Sequence, residues 1–350
     1  MQVRNIALPD KINGHRKGVN GVYIPGEEMV RRILKAHKPQ SRKYLEQGSE
    51  LQRMQIARKI KRPIMLAGPT GSGKSLLAQE FAGSLDMPFV HVTATEDTTD
   101  AKLRGYLSPM TFPMEIDGTV SNIEVMMFVP SPFSIAVMSE EPTVLFIDEL
   151  HKIRKGVTSI LHPLANKGER RLPMIELTGE VHPLHRDSVV VCALNPDAEY
   201  GDGFSELDPA LRRRFMTINL ELPNTKELFG KIVDINLGEL EGSAPANFAG
   251  TKGMLIEAVL ALNQTMVDYK TAEETGGDAQ SSLDEAIAGD ELTEIKERIS
   301  VDSVIAALEF IWMGVDPKIA VVENIVHAVV ENFGSTVTAL EGYFEAKGVW

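Results

Sequence analysis

Residues 68–75 read Gly-Pro-Thr-Gly-Ser-Gly-Lys-Ser, the spacing G-x-x-x-x-G-K-[ST]. Glycines at these positions let successive backbone N–H groups turn inward around a phosphate, and a helix beginning at the lysine adds partial positive charge. The context needed for that chemistry is present. Pro63-Ile64-Met65-Leu66-Ala67 is a short apolar run suited to a buried strand, and Leu76, Leu77, Ala78, Phe81, Ala82 and Leu85 then recur at helical spacing. Gly68, Pro69, Thr70, Gly71, Ser72, Gly73, Lys74, Ser75 and Leu76 are therefore the expected phosphate cradle. Lys74 is placed to reach the β- and γ-phosphates, and the Ser75 hydroxyl to ligate Mg²⁺. The pattern predicts binding of a nucleoside triphosphate.

A second constellation follows at Thr143-Val144-Leu145-Phe146-Ile147-Asp148-Glu149, an apolar strand ending in two acids. Carboxylates at the end of a buried strand are costly unless they have work to do. Asp148 is the expected holder of the Mg²⁺ water shell, and Glu149 the expected base for a water attacking the γ-phosphate in line. The next apolar run ends in Asn195-Pro196, which places an amide at a strand C-terminus, where parallel sheets gather ligands. Further on, Arg212-Arg213-Arg214 precede Phe215. A triple arginine is ordinarily a solvated surface run; beside this machinery it reads as a finger for transition-state charge in a neighbouring subunit.

These residues require an α/β scaffold. Apolar runs at 63–67, 88–93, 143–147, 189–194 and 215–220 alternate with helical stretches, the signature of a parallel sheet. Two hairpins interrupt them, at 103–135 around Gly118 and at 171–186 around Gly179. Residues 1–60 are punctuated by Pro and Gly, with helical patches near 27–37 and 44–60. Beyond Pro223 the pattern is helical: Leu255, Ala258, Val259, Leu262 and Met266 share a face, as do Val304, Leu308, Ile311 and Trp312. The expected division is an N-terminal extension at 1–62, a nucleotide-binding core at 63–222 and a helical lid at 223–350, with an acidic, mobile connection near 271–290.

Composition is that of a soluble globular protein, 43% hydrophobic and 24% charged over 350 residues. No apolar run has the length of a membrane span, and the first residues lack a signal peptide's layout. The single cysteine, Cys192, lies inside an apolar strand, so the expectation is a reducing cytoplasm and no disulfide framework. The net charge of −13 is uneven, with a balance of +10 over residues 1–62 and −15 over 227–350. We read this as packing between copies, basic face against acidic face, with nucleic acid as the alternative use of a basic head.

In order, "GVYIP" at 21–25, "GPTGSGKS" at 68–75, "LFIDEL" at 145–150, "RRLPMIELTGE" at 170–180, "ALNPDAEYGDG" at 193–203 and "LDPALRRRF" at 207–215 resemble the AAA+ ATPases. More narrowly, the chain is similar to the MoxR branch, close to the CbbQ, NorQ and gas-vesicle GvpN group. The resemblance implies a P-loop AAA+ core with a five-stranded parallel sheet, two β-hairpin inserts and a C-terminal helical lid. By motif position it implies Lys74 and Ser75 as the Walker A pair, Asp148 and Glu149 as the Walker B pair, Asn195 as sensor 1, and Arg214 as the arginine finger. It also places Val22, Tyr23 and Ile24 along the adenine pocket. Family members are ATP-hydrolysing hexameric rings that remodel protein partners, often a von Willebrand factor A domain protein.

Two departures stand out. Where relatives supply a sensor-2 arginine, residues 299–303 read Ile-Ser-Val-Asp-Ser, with Asp302 at that position and Arg298 out of register. Residues 38–56 also make a longer link. Other groups weigh less. His182 and His185 lack an acidic or cysteine partner at ligand spacing. His151 and Lys152 are expected to be exposed helix polars. Asn166-Lys167-Gly168-Glu169 only faintly matches a guanine-reading motif. Phe112, Met114, Met126, Met127 and Phe128 suit either packing or a client-gripping surface. Two rival readings remain, a nucleic-acid motor and a chelatase-like ATPase subunit of a larger enzyme.

Overall fold

The computed structural model describes residues 8–39, 44–116, 119–166, 170–196, 208–238, 240, 242–275, 295, 298–330 and 334–350. They fall into two compact units, one within residues 1–67 and 74–219, the other within 68–73 and 220–350. The strands, all in the first unit, are β1 (Lys11–Ile12), β2 (His15–Lys17), β3 (Tyr23–Pro25), β4 (Ile64–Ala67), β5 (Phe89–Thr93), β6 (Gly105–Ile116), β7 (Thr119–Pro130), β8 (Val144–Asp148), β9 (Arg171–Met174), β10 (Glu180–Pro183), β11 (Val189–Leu194) and β12 (Met216–Asn219).

Five of them form a parallel sheet in the order β12-β4-β11-β8-β5. All of β4, and β8 as far as Ile147, are buried, which is why both read as unbroken apolar runs: a parallel sheet is covered on both faces. β4 and β5 follow one another in sequence but are separated in the sheet by β11 and β8. Register puts Leu194 beside Ala67 and Cys192 beside Ile147, so the C-terminal ends of β4, β11 and β8 lie level. The helix Lys74–Ser84 makes the crossover after β4, burying Leu77, Ala78, Phe81 and Ala82. Leu77 and Phe81 each contribute about 1.5–3 kcal/mol of transfer free energy, and the two alanines less.

A second sheet, β1-β2-β3-β7-β6, holds the long hairpin, paired in register from Gly105 with Pro130 to Ile116 with Thr119. β3 joins it in parallel through Tyr23 and Met127. Alternation then divides the "GVYIP" segment. Val22 and Ile24 enter the main core, while Tyr23 turns to a separate cluster with Ile12, Val125 and Met127 and donates its hydroxyl to the Pro9 carbonyl. Of the hairpin's candidate gripping residues, Met127 and Phe128 are buried, and Met126 is exposed. The helices expected in the first sixty residues are present at Glu27–Leu34 and Glu50–Lys59, but the reading of that region as loop and helix is corrected by β1, β2 and β3. Strands of two or three residues are too short to show alternation.

The second hairpin, β9 with β10, carries a helical turn, Ile175–Thr178, ended by Gly179 in the left-handed region. The buried Arg170 organises the loop that follows by donating to the Ser188, His185 and Arg186 carbonyls.

The second unit is helical, with helices Lys226–Leu237, Phe248–Thr275, Val301–Trp312, Pro317–Val321 and Ser335–Ala346. Its core is built by Phe229, Leu255, Val259, Leu262, Leu308 and Phe344, all buried. Asn263 brackets Ile299, donating to its carbonyl at 2.9 Å and accepting its N–H at 2.8 Å. Residues 271–275 belong to the helix Phe248–Thr275, correcting the start of the expected connection; 276–290 of it lie outside the described residues. No helix among the described residues is long and apolar enough to cross a membrane.

Candidate active site

The loop after β4 is shaped by Gly71 and Gly73, at φ +75° and +80°, a region that side-chain-bearing residues rarely occupy. Ser72 is buried there, and its Oγ has no hydrogen-bond partner among the described residues. A buried hydroxyl without a partner costs free energy unless a ligand supplies one. Lys74, also buried, opens the helix Lys74–Ser84. Ser75 Oγ donates to Asp148 Oδ2 at 2.7 Å, linking the start of that helix to the end of β8. Two hard oxygen donors, with room for water and phosphate, are what Mg²⁺ takes from a protein in a nucleotide site. The donor set fits that ion, and the orphaned Ser72 Oγ fits a phosphate neighbour.

Asp148 is further fixed by the Glu149 N–H at 2.9 Å from Oδ1 and by His91 Nε2 at 3.6 Å from Oδ2. Burial works against its charge, but the approach of His91, the Ser75 hydroxyl and the Glu149 N–H together outweigh it and hold the carboxyl below its ordinary range. Glu149 adopts φ 56° and ψ 40°, a left-handed conformation costing about 1–3 kcal/mol in a residue with a side chain. Its Oε2 lies 3.1 Å from His151 Nε2 and 3.3 Å from Lys152 Nζ. The His151 hydrogen bond, opposed by burial and helped by Lys152, lowers the Glu149 pKa, so the group is ionised at neutral pH and has a lone pair to accept a proton.

Asn195 is buried at the end of β11, and its backbone N–H donates to His151 Nδ1 at 3.4 Å. The structure thus brings Ser75, Asp148, Glu149 and, through His151, Asn195 into one bonded set. His151, expected as an exposed helix polar, is instead buried. It sits in a 3₁₀ turn at Leu150–Lys152 that folds its ring back between two strand ends. Sequence reasoning also passed over His91, whose position near the end of β5 brings it beside Asp148.

Arg212, Arg213 and Arg214 are exposed and lie apart from this set. Arg62 donates from Nε to the Arg214 carbonyl at 3.0 Å and from Nη2 to the Arg213 carbonyl at 2.8 Å, while Arg214 Nη1 donates to the His162 carbonyl at 2.8 Å. Arg62, Arg213, Arg214, Ala165 and Asn166 line an open cavity of about 420 Å³. His182 Nε2 lies 3.9 Å from Glu180 Oε2. In the second unit Arg298 Nη1 faces Glu221 Oε2 at 3.4 Å, and Asp302 stands exposed in the first turn of Val301–Trp312. Residues 167–169 and 197–207, with parts of three sequence motifs, lie outside the described residues.

Residues 63–215 match the family model of the AAA domain, dynein-related subfamily. The likeness to an AAA domain covers a little under half of the chain. The chain is similar to protein CbbQ of Hydrogenophilus thermoluteolus, 29% identical over 176 residues, which are 50% of this chain and 59% of CbbQ. It is 31% identical to protein NorQ of Paracoccus denitrificans (strain Pd 1222) over 181 residues, 51% of this chain and 60% of NorQ. It is 29% identical to the denitrification regulatory protein NirQ of Stutzerimonas stutzeri over 210 residues, 60% of this chain and 66% of NirQ. The chain thus spans less than two thirds of the length of these relatives. The matched stretch contains the phosphate-loop segment and both strand ends described above.

Proposed function

We propose that this AAA+ ATPase hydrolyses Mg²⁺-bound ATP in a ring of identical subunits, hexameric as the resemblance implies, and uses the cycle to remodel or activate a protein partner. The observation that supports the catalytic part is the Ser75–Asp148 hydrogen bond at 2.7 Å with Glu149 as the next residue, because a hydroxyl and a carboxylate held together would suit a metal ion and the adjacent carboxylate would suit a base. Residues 63–222 act as the nucleotide-binding core, 223–350 as the lid and 1–62 as an extension. Gly68 to Leu76 cradle the phosphates, and Val22 and Tyr23 belong to the segment along the adenine.

The chemistry assigned to the chain's own groups is as follows. Lys74 neutralises charge on the β- and γ-phosphates. Ser75 and Asp148 would hold the Mg²⁺, which supplies charge neutralisation to the phosphate oxygens when bound. Glu149 orients a water and takes its proton as the water oxygen bonds to the γ-phosphorus and the bond to the β–γ bridging oxygen breaks. Asn195 holds the attacking side of the γ-phosphate. Arg214, from the next copy, meets the charge that develops on the transferring group.

Partner remodelling rests on the motif resemblance to the MoxR branch. A von Willebrand factor A domain protein is the partner we expect, and the cytoplasm the compartment. Arg16, Arg31 and Lys61 are ion-paired to Glu180, Glu141 and Asp187, and Arg53 and Arg62 donate to backbone carbonyls. With so much of the basic head committed within its own unit, a protein client is favoured over nucleic acid.

Glu149→Gln should retain ATP affinity while turnover falls by at least about a hundredfold, whereas Lys74→Ala should weaken binding itself. Steady-state ATPase rates and titration with a fluorescent nucleotide separate the two. Normal turnover by Glu149→Gln would remove this carboxylate from the role of base. The same variant, loaded with ATP and used as bait, should retain the protein client.

A further inference from the structure

One buried polar side chain beside the site has no place in the reaction as described. His151 lies two residues beyond Glu149, and its ring joins the ends of the adjacent strands β8 and β11. Nδ1 faces the backbone N–H of Asn195 at 3.4 Å, and Nε2 faces Glu149 Oε2 at 3.1 Å. A backbone N–H can only donate, so Nδ1 must present its lone pair. The ring proton is then on Nε2, where it donates to the carboxylate. The geometry thus assigns Nδ1 as the acceptor and Nε2 as the donor.

Glu149 needs such a partner. Its backbone is left-handed, and a glutamate side chain has three rotatable bonds to fix before its carboxylate can face a water consistently. Lys152 lies 3.3 Å away but is a half-exposed, flexible cation that constrains direction poorly. The imidazole is planar, buried and bonded at both ends.

We propose that His151 is a positioning residue that ties the Glu149 carboxylate to the β11 terminus, so that the base and the Asn195 end of the sheet keep one relative geometry. His151 touches neither nucleotide nor attacking water in this scheme. It acts through Glu149, and the proposal rests on Glu149 being the base. The competing view makes His151 a core-filling side chain whose polar atoms are incidental.

The two views are separated with the full chain and four variants. Glutamine places an amide N–H close to the Nε2 position, asparagine places its polar end close to Nδ1, and leucine fills volume with neither. For His151→Leu, kcat should fall roughly tenfold to a hundredfold, the cost of misplacing a reacting group by an ångström or less. KM and fluorescent-nucleotide affinity should stay within about twofold, since no ground-state contact is lost. His151→Gln should recover at least about fivefold over His151→Leu, and His151→Asn should not. The double variant Glu149→Gln/His151→Leu should be no slower than Glu149→Gln alone, because a positioning residue has nothing to add once the base is gone.

Turnover by His151→Leu within about twofold of wild type would overturn the proposal, as would affinity falling in step with kcat. Equal kcat for the Gln and Asn variants, at matched melting temperatures, would also overturn it and leave the core-filling view. If the leucine variant does not fold, that Gln–Asn contrast decides by itself. Glu149→Gln inactive with His151→Leu near normal sinks this inference alone; Glu149→Gln active sinks the assignment of the base and this inference with it.

Discussion

At the scale of single residues, Asp302 and Arg298 pose the sharpest question, since the resemblance implies an arginine where Asp302 stands. Asp302 stands in the first turn of Val301–Trp312, where desolvation raises the pKa of its carboxyl, and an acid at that place would repel a phosphate and not bind it. Arg298 faces Glu221, with its side chain 17% exposed, and so already answers a carboxylate. Asp302→Ala should therefore change ATP hydrolysis by less than about threefold, as surface substitutions do. Arg298→Ala should act mainly by leaving Glu221 without its ion pair, a loss of about 0–1 kcal/mol in stability seen by thermal melting. A large loss of turnover in Arg298→Ala at unchanged stability would instead restore the arginine as a phosphate contact. The same scale shows where sequence reading stops. Ser75 and Asp148 could be named from their motifs because their chemistry needs those residue types at those spacings. His151 could not, because a polar residue after a strand is exposed by default. Only the left-handed turn at Glu149 and the 3₁₀ turn after it fold that ring inward.

At the scale of elements, the Arg16–Glu180 pair joins β2 to β10, two strands from different sheets and 164 residues apart in sequence. Both Arg16 amines donate, at 2.8 and 2.7 Å, in the forked geometry that suits a carboxylate. The Arg16 side chain is 43% exposed, so solvent screening limits the pair to about 0.5–1 kcal/mol. The hydrogen bond from Arg16, against a smaller cost of burial, lowers the Glu180 pKa in the folded state. A depressed folded value means the stabilisation is complete above the unfolded Glu value near ~4.3 and is lost as pH falls through the folded value. Glu180→Gln should thus lower the melting temperature by about 1–4 °C at neutral pH. That difference should close between roughly pH 5 and pH 3. A difference that persists undiminished in acid would mean the variant disturbs packing and not the ion pair. The central strands β4, β11 and β8 were legible because burial on both faces leaves unbroken apolar text. The edge strands β5 and β12 show it only in part, with His91, Thr93, Thr217 and Asn219 exposed. The two hairpins were legible from their glycines and breaks. β1, β2 and β3 were not, since Lys11–Ile12 or His15–Lys17 carries no pattern of its own; those strands exist because β7 offers an edge to pair with.

At the scale of the whole molecule, the proposal that sites are shared between copies turns on the arginines of residues 212–214. Arg62 holds the Arg213 and Arg214 carbonyls, and Arg214 donates to the His162 carbonyl, so the exposed group is braced just after a short helix, Pro209–Arg212. Overall charge of −13 opposes self-association unless opposite patches meet, and the segment 227–350 carries −15 that such patches can use. If Arg214 serves the site of the next copy, Arg214→Ala should lower turnover on the order of a thousandfold while leaving nucleotide affinity nearly intact. A Lys74→Ala subunit cannot use its own site yet still presents Arg214 to its neighbour. Mixing the two inactive variants should therefore restore activity, because each ring then contains junctions with an intact cradle on one side and an intact arginine on the other. The restored rate should rise and fall with the mixing ratio, peaking where mixed junctions are most numerous. Confirmed co-assembly with no recovered hydrolysis at any ratio would place the arginine in its own subunit's chemistry and end the case for a shared site.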